Sequence, residues 1–313
     1  MSLDFSIIVP AHRRPESLRR CLEALDGQDY PRERYEVVVV DDGSPDPLEP
    51  LVHDATRGLR IRFERQAQQG PGPARNAGAL VAHGQWLAFT DDDCVPQPGW
   101  LSAFARQFER SPTALLGGTT FNSLPANPYA EASQVLTSFL YEYFNSTDHS
   151  APLFTGNNMA APRDLFQVLG GFSPLLKSVG SEDRELCDHW NDAGLPHEFV
   201  QDARVAHARD TTFRGFWRQH HVYGRGAPHY HRIRAARRSE RGNGRTPEPV
   251  TFYLRLVTCP FRTDGWLRGR SWRNAALIVM AQVAYISGAL RESILLRRRE
   301  PEPEPAPAES ADA

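Results

Sequence analysis

A chain of 313 residues with 40% hydrophobic and 24% charged positions can bury a substantial core, as one large domain or one domain with an appendage. Its formal net charge of −2 gives no global pull toward nucleic acid. Four scattered cysteines (Cys21, Cys94, Cys187, Cys259) with no CxxC pair speak against a cysteine zinc site or a disulfide framework and suit a reducing cytosol.

The N-terminus, Met1-Ser2-Leu3-Asp4, lacks a basic region and a cleavage site, so no signal peptide is expected and a cytoplasmic location is. An apolar run over 5–9, ended by Pro10, predicts a first strand. Leu18, Cys21, Leu22 and Leu25 recur at helical spacing and predict an amphipathic helix over 15–25. Residues 35–40, apolar after Glu36, predict a central parallel strand that ends in the turn Asp41-Asp42-Gly43-Ser44. A weaker helix over 48–56 and a third strand over 59–65 follow. Gly70-Pro71-Gly72-Pro73 reads as a rigid loop before a helix over 74–83. A fourth strand over 86–89 then runs directly into Asp91-Asp92-Asp93. This alternation predicts a doubly wound α/β sheet, mostly parallel and flanked by helices.

Further along, the pattern predicts a helix over 100–110, a strand over 115–120 and a helix over 131–144. In that last helix Phe139, Tyr141, Tyr143 and Phe144 read as core rather than as a platform for a sugar. The chain returns to the sheet over 154–161, forms a short helix over 163–169 closed by Gly170-Gly171, and enters a helix over 182–193 with Ser181 as its N-cap. From His207 to Glu300 there are 19 Arg against six Asp or Glu. His220-His221, His229 and His231 in that region read as a solvated or lipid-facing segment. Residues 275–290 are apolar and Arg-flanked, but shorter than the ~20 residues a span needs. They read either as a core helix or as an amphipathic helix lying on an anionic membrane surface. Residues 237–245 read as a mobile loop, and the Pro/Glu/Ala-rich residues 300–313 as a disordered tail. The expected organisation is a main domain over 1–230, a basic helical extension over 231–299 and the tail.

Three carboxylates after a buried strand need a cation or water, unless they are a solvated acidic loop. Ligands of α/β sheets bind at the C-terminal strand ends, where a divalent cation on phosphates is the natural occupant. Asp41-Asp42 and Asp91-Asp92-Asp93 would share one edge, one group reading a base or ribose and the other holding a metal on a diphosphate. Arg75 suits a phosphate or a structural pair with a nearby Asp. Neither a GxGxxG loop nor a Walker A lysine is present, so no Gly-rich phosphate cradle is expected.

The strand ending in Pro10, Asp41-Asp42-Gly43-Ser44, Ala74-Arg75-Asn76-Ala77-Gly78, Thr90-Asp91-Asp92-Asp93, Gly156-Asn157-Asn158-Met159, Gly170-Gly171-Phe172 and Glu182-Asp183 occur in that order. Together they resemble the family 2 glycosyltransferases of the GT-A (Rossmann-like) fold. The resemblance implies that Asp41, with Asp42, reads the nucleotide base beside Pro10 and His12. It implies that Asp91 binds ribose or metal water, and that Asp93 coordinates Mg²⁺ or Mn²⁺ on the diphosphate of a nucleotide-sugar. Asp92, often small or neutral in the family, belongs to the same donor-binding group without a fixed role. His207 resembles a third metal ligand or a diphosphate contact, with a core or surface histidine as the other reading. Asp183 of the Glu182-Asp183 pair is the implied catalytic base; a helix N-terminus at Ser181 would hold its pKa down and Glu182 next door would push it the other way, so the sequence sets no net direction. Gly156, Asn157, Asn158 and Trp190 are expected to border the acceptor.

The implied reaction is inverting, metal-dependent transfer of a sugar to a glycan or lipid-linked hydroxyl, as in building cell envelope polysaccharide. The expected partners are a nucleotide-sugar donor, that acceptor and an anionic membrane surface, with no nucleic acid. The rival readings are a nucleotidyltransferase, against which the missing Gly-rich, Lys-bearing loop counts, and a non-catalytic nucleotide-sugar-binding or membrane scaffold protein.

Overall fold

The computed structural model describes residues 3–54, 58–146, 152–177, 179–239, 248–266 and 268–299. The elements in chain order are β1 (Phe5–Ala11), α1 (Pro15–Asp26), β2 (Tyr35–Asp42), α2 (Glu49–Asp54), β3 (Ile61–Gln66), α3 (Pro71–Val81), β4 (Trp86–Thr90), β5 (Cys94–Pro96) and α4 (Trp100–Arg110). They continue with β6 (Leu115–Asn122), α5 (Pro128–Phe144), β7 (Asn158–Pro162), α6 (Arg163–Val168), α7 (Glu182–Asp192), β8 (His197–His207), α8 (Phe213–Ser239), α9 (Val250–Asp264) and α10 (Gly269–Arg299).

Among the described residues eight strands form one sheet in the order β3-β2-β1-β4-β7-β6-β8-β5. The first four are mutually parallel, as the apolar run of β2 predicts for that strand; β7 is inserted antiparallel between β4 and β6, β8 runs parallel to β6, and β5 runs antiparallel to β8. The α/β expectation is met, with a more mixed sheet than the first hundred residues imply. Side chains alternate across β1: Phe5, Ile7 and Val9 enter a core with α1 and α4, while Ile8 enters the opposite core with α3, α6 and α7. Both faces of β1 and β2 are therefore dry, which is why these two read as apolar runs, while edge strand β3 alternates and stays half-exposed.

Several boundaries differ from expectation. Helix α3 starts at Pro71, so Gly70-Pro71-Gly72-Pro73 is its cap and first turn; proline at the start of a helix gives up only an N–H that has no partner there anyway. Of the segment 154–161 only Asn158 onward is strand, and β5 and β8 were not foreseen. Ser181 precedes α7 in a left-handed conformation (φ 71°) and makes no side-chain cap. Helix α8 runs without a break through residue 230, the expected boundary, and includes residues 237–239 of the expected loop; residues 240–245 and the tail from 300 lie outside the described residues.

Helices α8, α9 and α10 bury a third core against α5, built from Leu136, Phe139, Phe144, Phe216, Phe252, Leu256 and Ile278. The aromatic stripe of α5 is thus core, as read. At the α8–α10 crossing a Cβ on Gly224 would lie 1.9 Å from Tyr285 O, and one on Gly288 would lie 2.0 Å from His221 O. Only glycine allows this approach. Three of the four histidines expected to be solvated are packed inside: His220 is buried against Phe216, and in the α8–α10 seam His221 Nδ1 lies 2.9 Å from Ser287 Oγ and His229 Nε2 lies 3.1 Å from Glu292.

Candidate functional site

Parallel pairing of β1 with β2 and β4 brings three strand ends to one edge, with Ala11 opposite Asp41 and Ile8 opposite Phe89. The triple carboxylate therefore emerges beside His12 and Arg14. The His12 backbone N–H donates to Asp92 Oδ2 at 3.2 Å, and Arg14 Nη2 stands 2.5 Å from Asp92 Oδ1. Arg14 Nη1 also pairs with Asp93. Asp92 is fully buried; burial, with Asp93 and Asp91 as like charges, pushes its pKa up to about 7 against the pull of Arg14. Burial alone would raise Asp93 too, but the hydrogen bond and charge of His207, with Arg14 and Arg209, hold it well below the usual carboxylate range.

His207 reaches this point through the β5–β8 pairing, which sets it opposite Cys94 and sends the Ala208 N–H to Asp93 O at 2.8 Å. His207 Nε2 lies 3.4 Å from Asp93 Oδ1, and these atoms with Cys94 Sγ all lie within 4.8 Å of one another. Burial pushes the Cys94 thiol well up, so it stays neutral and the usable donors are an oxygen and an imidazole nitrogen. That set fits Mg²⁺ or Mn²⁺ sharing its remaining positions with phosphate oxygens and water. Asp91, the other expected ligand, stands apart from this group: its Oδ1 accepts from Arg75 Nη2 at 2.6 Å.

Asp41 and Asp42 differ sharply despite being adjacent. Asp42 accepts from Gln66 Nε2, Gln69 N and Gly70 N, at 2.7, 2.8 and 2.8 Å, so both its oxygens hold the loop between β3 and α3. Asp41, fully buried, accepts from Ser44 N on Oδ1, whereas its Oδ2 has no hydrogen bond; Arg65 Nε is 3.6 Å away. A buried carboxylate oxygen without a donor is costly, and it suits a ligand N–H. Pro10 sits opposite Val40 at the same edge. His12 donates from Nδ1 to Asp42 O at 2.9 Å, leaving Nε2 to accept from Gln68 at 3.3 Å.

Buried Arg75 joins the donor edge to α7. It pairs with Asp91 and, at 3.4 Å, with Glu182, while its guanidinium lies 5.3 Å from the centroid of the Phe172 ring. A Cβ on Gly156 would come within 2.8 Å of that guanidinium, so glycine there makes room for Arg75. Burial and the charge of Asp183 raise Glu182 to about 7 in spite of Arg75. Asp183 is also raised by burial, although it accepts from Arg184 N at 2.8 Å and Arg75 attracts its charge. Desolvation outweighs the helix N-terminus, so the net shift that the sequence leaves open is upward.

The residues expected to border the acceptor are placed very differently from one another. Asn158 is fully buried, accepting from Trp100 Nε1 at 2.8 Å and donating to Ala203 O at 3.0 Å; it locks β7 to α4 and β8. Trp190 is fully buried in the core with Leu186 and Cys187. Asn157 is partly exposed and accepts from Thr155 Oγ1 at 2.7 Å. Conversely, sequence reasoning overlooked Arg14. Its signal was a cation four residues past Pro10, immediately before the Pro15 that opens α1.

Residues 6–170 match the model of the family described as Glycosyl transferase family 2. The chain belongs to that family. It is 30% identical over 209 residues to Glycosyltransferase AglE of Haloferax volcanii, covering 64% of this chain and 66% of that protein. It is 28% identical over 219 residues to the Validoxylamine A glucosyltransferase of Streptomyces hygroscopicus subsp. jinggangensis, covering 61% of this chain and 52% of that one. The matches thus span about half to two thirds of these relatives. The mannosyltransferase PcManGT of Pyrobaculum calidifontis, solved with GDP-Man and Mn²⁺, shares the fold with a TM-score of 0.58 at 20% identity, over 95% of this chain and 79% of that one. TarS of S. aureus shares it with a TM-score of 0.53 at 18% identity, over 92% and 54%. The GT-A-like fold is established by these likenesses.

Proposed function

We propose that this chain transfers a sugar from a UDP- or GDP-linked donor to a hydroxyl of a glycan or lipid-linked acceptor, with inversion and with Mg²⁺ or Mn²⁺. One observation carries the reading: the Asp93–His207 pair closes the strand end that also carries Asp91, and Asp91 is ion-paired to Arg75, which in turn pairs with Glu182 beside Asp183. The Mn²⁺ and GDP-Man in PcManGT support it, as does UDP-GlcNAc in a TarS structure of TM-score 0.51.

Asp93 and His207 are the residues that would hold the cation, which supplies charge to the departing diphosphate when bound. The open Oδ2 of Asp41 accepts a base N–H, with Pro10 and His12 at the same edge. Asp91, held by Arg75, faces the ribose side. Asp183 takes the proton of the acceptor hydroxyl as its oxygen bonds to the anomeric carbon and the bond to the diphosphate breaks. A single displacement of this kind inverts the anomeric centre, by the logic of inverting glycosidases. The setting is the cytoplasm, at the membrane where lipid-linked acceptors of envelope polysaccharide are assembled.

A panel of nucleotide-sugars, assayed for binding and hydrolysis with and without Mn²⁺, tests the reading. Asp93→Ala should lose the Mn²⁺-dependent part of donor binding. Asp183→Asn should keep donor binding and lose transfer by roughly 10²–10⁴-fold, the usual contribution of a general base. Donor binding indifferent to both Mn²⁺ and Asp93 would return the protein to the scaffold reading.

A further inference from the structure

Helix α10 turns one face inward, with Ala275, Ile278, Ala281 and Ala284 buried, and leaves an unusual second face outside. Trp272, Val279, Val283, Ile286, Leu290 and Ile294 are each 44–60% exposed. Their spacing of seven, four, three, four and four residues sets them in one stripe, about 33 Å long at the helical rise. No charged residue falls between Arg273 and Arg291. The turn from α9 adds Trp266, 61% exposed and stacked 4.3 Å from buried Phe261; Trp272 meets the same ring edge-on at 4.8 Å. Two outward indoles are therefore held rigidly on a phenylalanine.

Both ends of the stripe are basic. Arg268, Arg270 and Arg273 stand exposed at one end, and Arg291, Arg297 and Arg298 at the other. The one carboxylate between residues 268 and 298, Glu292, is turned inward onto Arg225 at 2.8 Å and His229 at 3.1 Å.

We infer that this face of α10, with the α9–α10 turn, rests on the interface of a bilayer that carries anionic headgroups. Apolar side chains between cationic ends, with tryptophan at the boundary, are the chemistry such an interface accepts. A second copy of the chain is a poorer occupant, because either orientation of two stripes sets Arg clusters against Arg clusters. The helix lies on the surface rather than crossing it, although its length would permit a span. Crossing would draw Glu292, Arg225, His229 and the buried Asn274 into hydrocarbon along with the polar helix α8. The inference rests on the proposed function only for the choice of a cytoplasmic leaflet.

Flotation with vesicles of phosphatidylcholine, alone or mixed equally with phosphatidylglycerol, tests it. The intact chain should bind the mixed vesicles and scarcely the neutral ones, and lose binding in high salt. Trp266→Ser with Trp272→Ser, and separately Val283→Asp with Ile286→Asp, should weaken binding roughly tenfold or more. Arg→Gln changes at 268, 270 and 273 should each weaken it about fivefold. Far-UV circular dichroism checks that each variant is folded, and donor hydrolysis without vesicles should be unchanged, so that failure of this surface is separable from failure of the transferase reading. Unaltered vesicle binding in the folded apolar variants would overturn the inference. So would a stable dimer with no vesicle binding that the same variants dissociate, which would assign the face to a second copy.

Discussion

Arg14 and the Glu182–Asp183 pair show what single residues contribute here. The Arg14 side chain is 41% exposed, yet it pairs with two buried carboxylates of the site, Asp92 and Asp93. It acts as an internal cation competing for the position a metal would take. Replacing it by methionine should tighten binding of Mn²⁺ alone roughly tenfold, the order expected on removing one close like charge at a partly exposed site; calorimetric titration without nucleotide measures it, and an unchanged affinity would remove Arg14 from the metal's surroundings. The pH argument belongs to the other pair. A general base works ionised, and both carboxyls are raised, Glu182 to about 7. Activity should therefore fall with acid at a higher pH than an ordinary aspartate would give, and level off above that limb. Glu182→Gln removes a neighbouring negative charge, so Asp183 ionises more readily and the acid limb of kcat/KM should move to lower pH. A limb that stays in place would mean that the two carboxyls do not titrate together.

Elements decide which of the expected residues reach the site. Helix α7 carries Asp183 at its start and is clamped to α8 further along: Asp188 pairs with Arg234, Arg237 and Arg238, and Glu185 with Arg237. Asp188 is almost fully buried, so removing it takes the carboxylate from Arg234 and leaves Arg237 and Arg238 to Asp192 and Glu185. Asp188→Ala should destabilise the fold by about 3 kcal/mol, as breaking a buried ionic group does, read from urea unfolding; a loss under ~1 kcal/mol would mean the clamp is solvated. The same helix explains an error of reading. Leu186, Cys187 and Trp190 recur at helical spacing and share the core face, so periodicity alone would have placed Trp190 inside. Asn158 misled for a different reason: its polarity suggests a ligand contact, but its partners Trp100 and Ala203 come from distant elements no local pattern reveals. The acidic strand ends were legible because strand, turn and carboxylate are contiguous. The meeting of His207 with Asp93 was not, since it depends on the unforeseen pairing of β5 with β8; only the family resemblance pointed to it.

For the molecule as a whole, the open matter is whether the C-terminal helices are an appendage or part of one body. Composition favours an appendage, because the basic stretch begins abruptly and the acidic sheet edge lies far ahead of it in sequence. Packing favours one body: α9 and α10 share a core with α5, a helix between two sheet strands, and α10 closes backbone to backbone on α8 at Gly224 and Gly288. A truncation ahead of Trp266 would remove Ile278 from the middle of that core, so loss of any property in it would report unfolding as readily as loss of a surface. A single internal change is more informative. Ile278 is fully buried, and Ile278→Ala should cost about 2–5 kcal/mol through lost burial and the cavity left behind. If the helices and sheet fold together, native-state hydrogen exchange should show β2 and α10 amides losing the same protection. Loss confined to α8–α10, with β2 unchanged, would make the helices a separate unit, and the exposed apolar stripe of α10 would then be carried by a module able to open without disturbing the site.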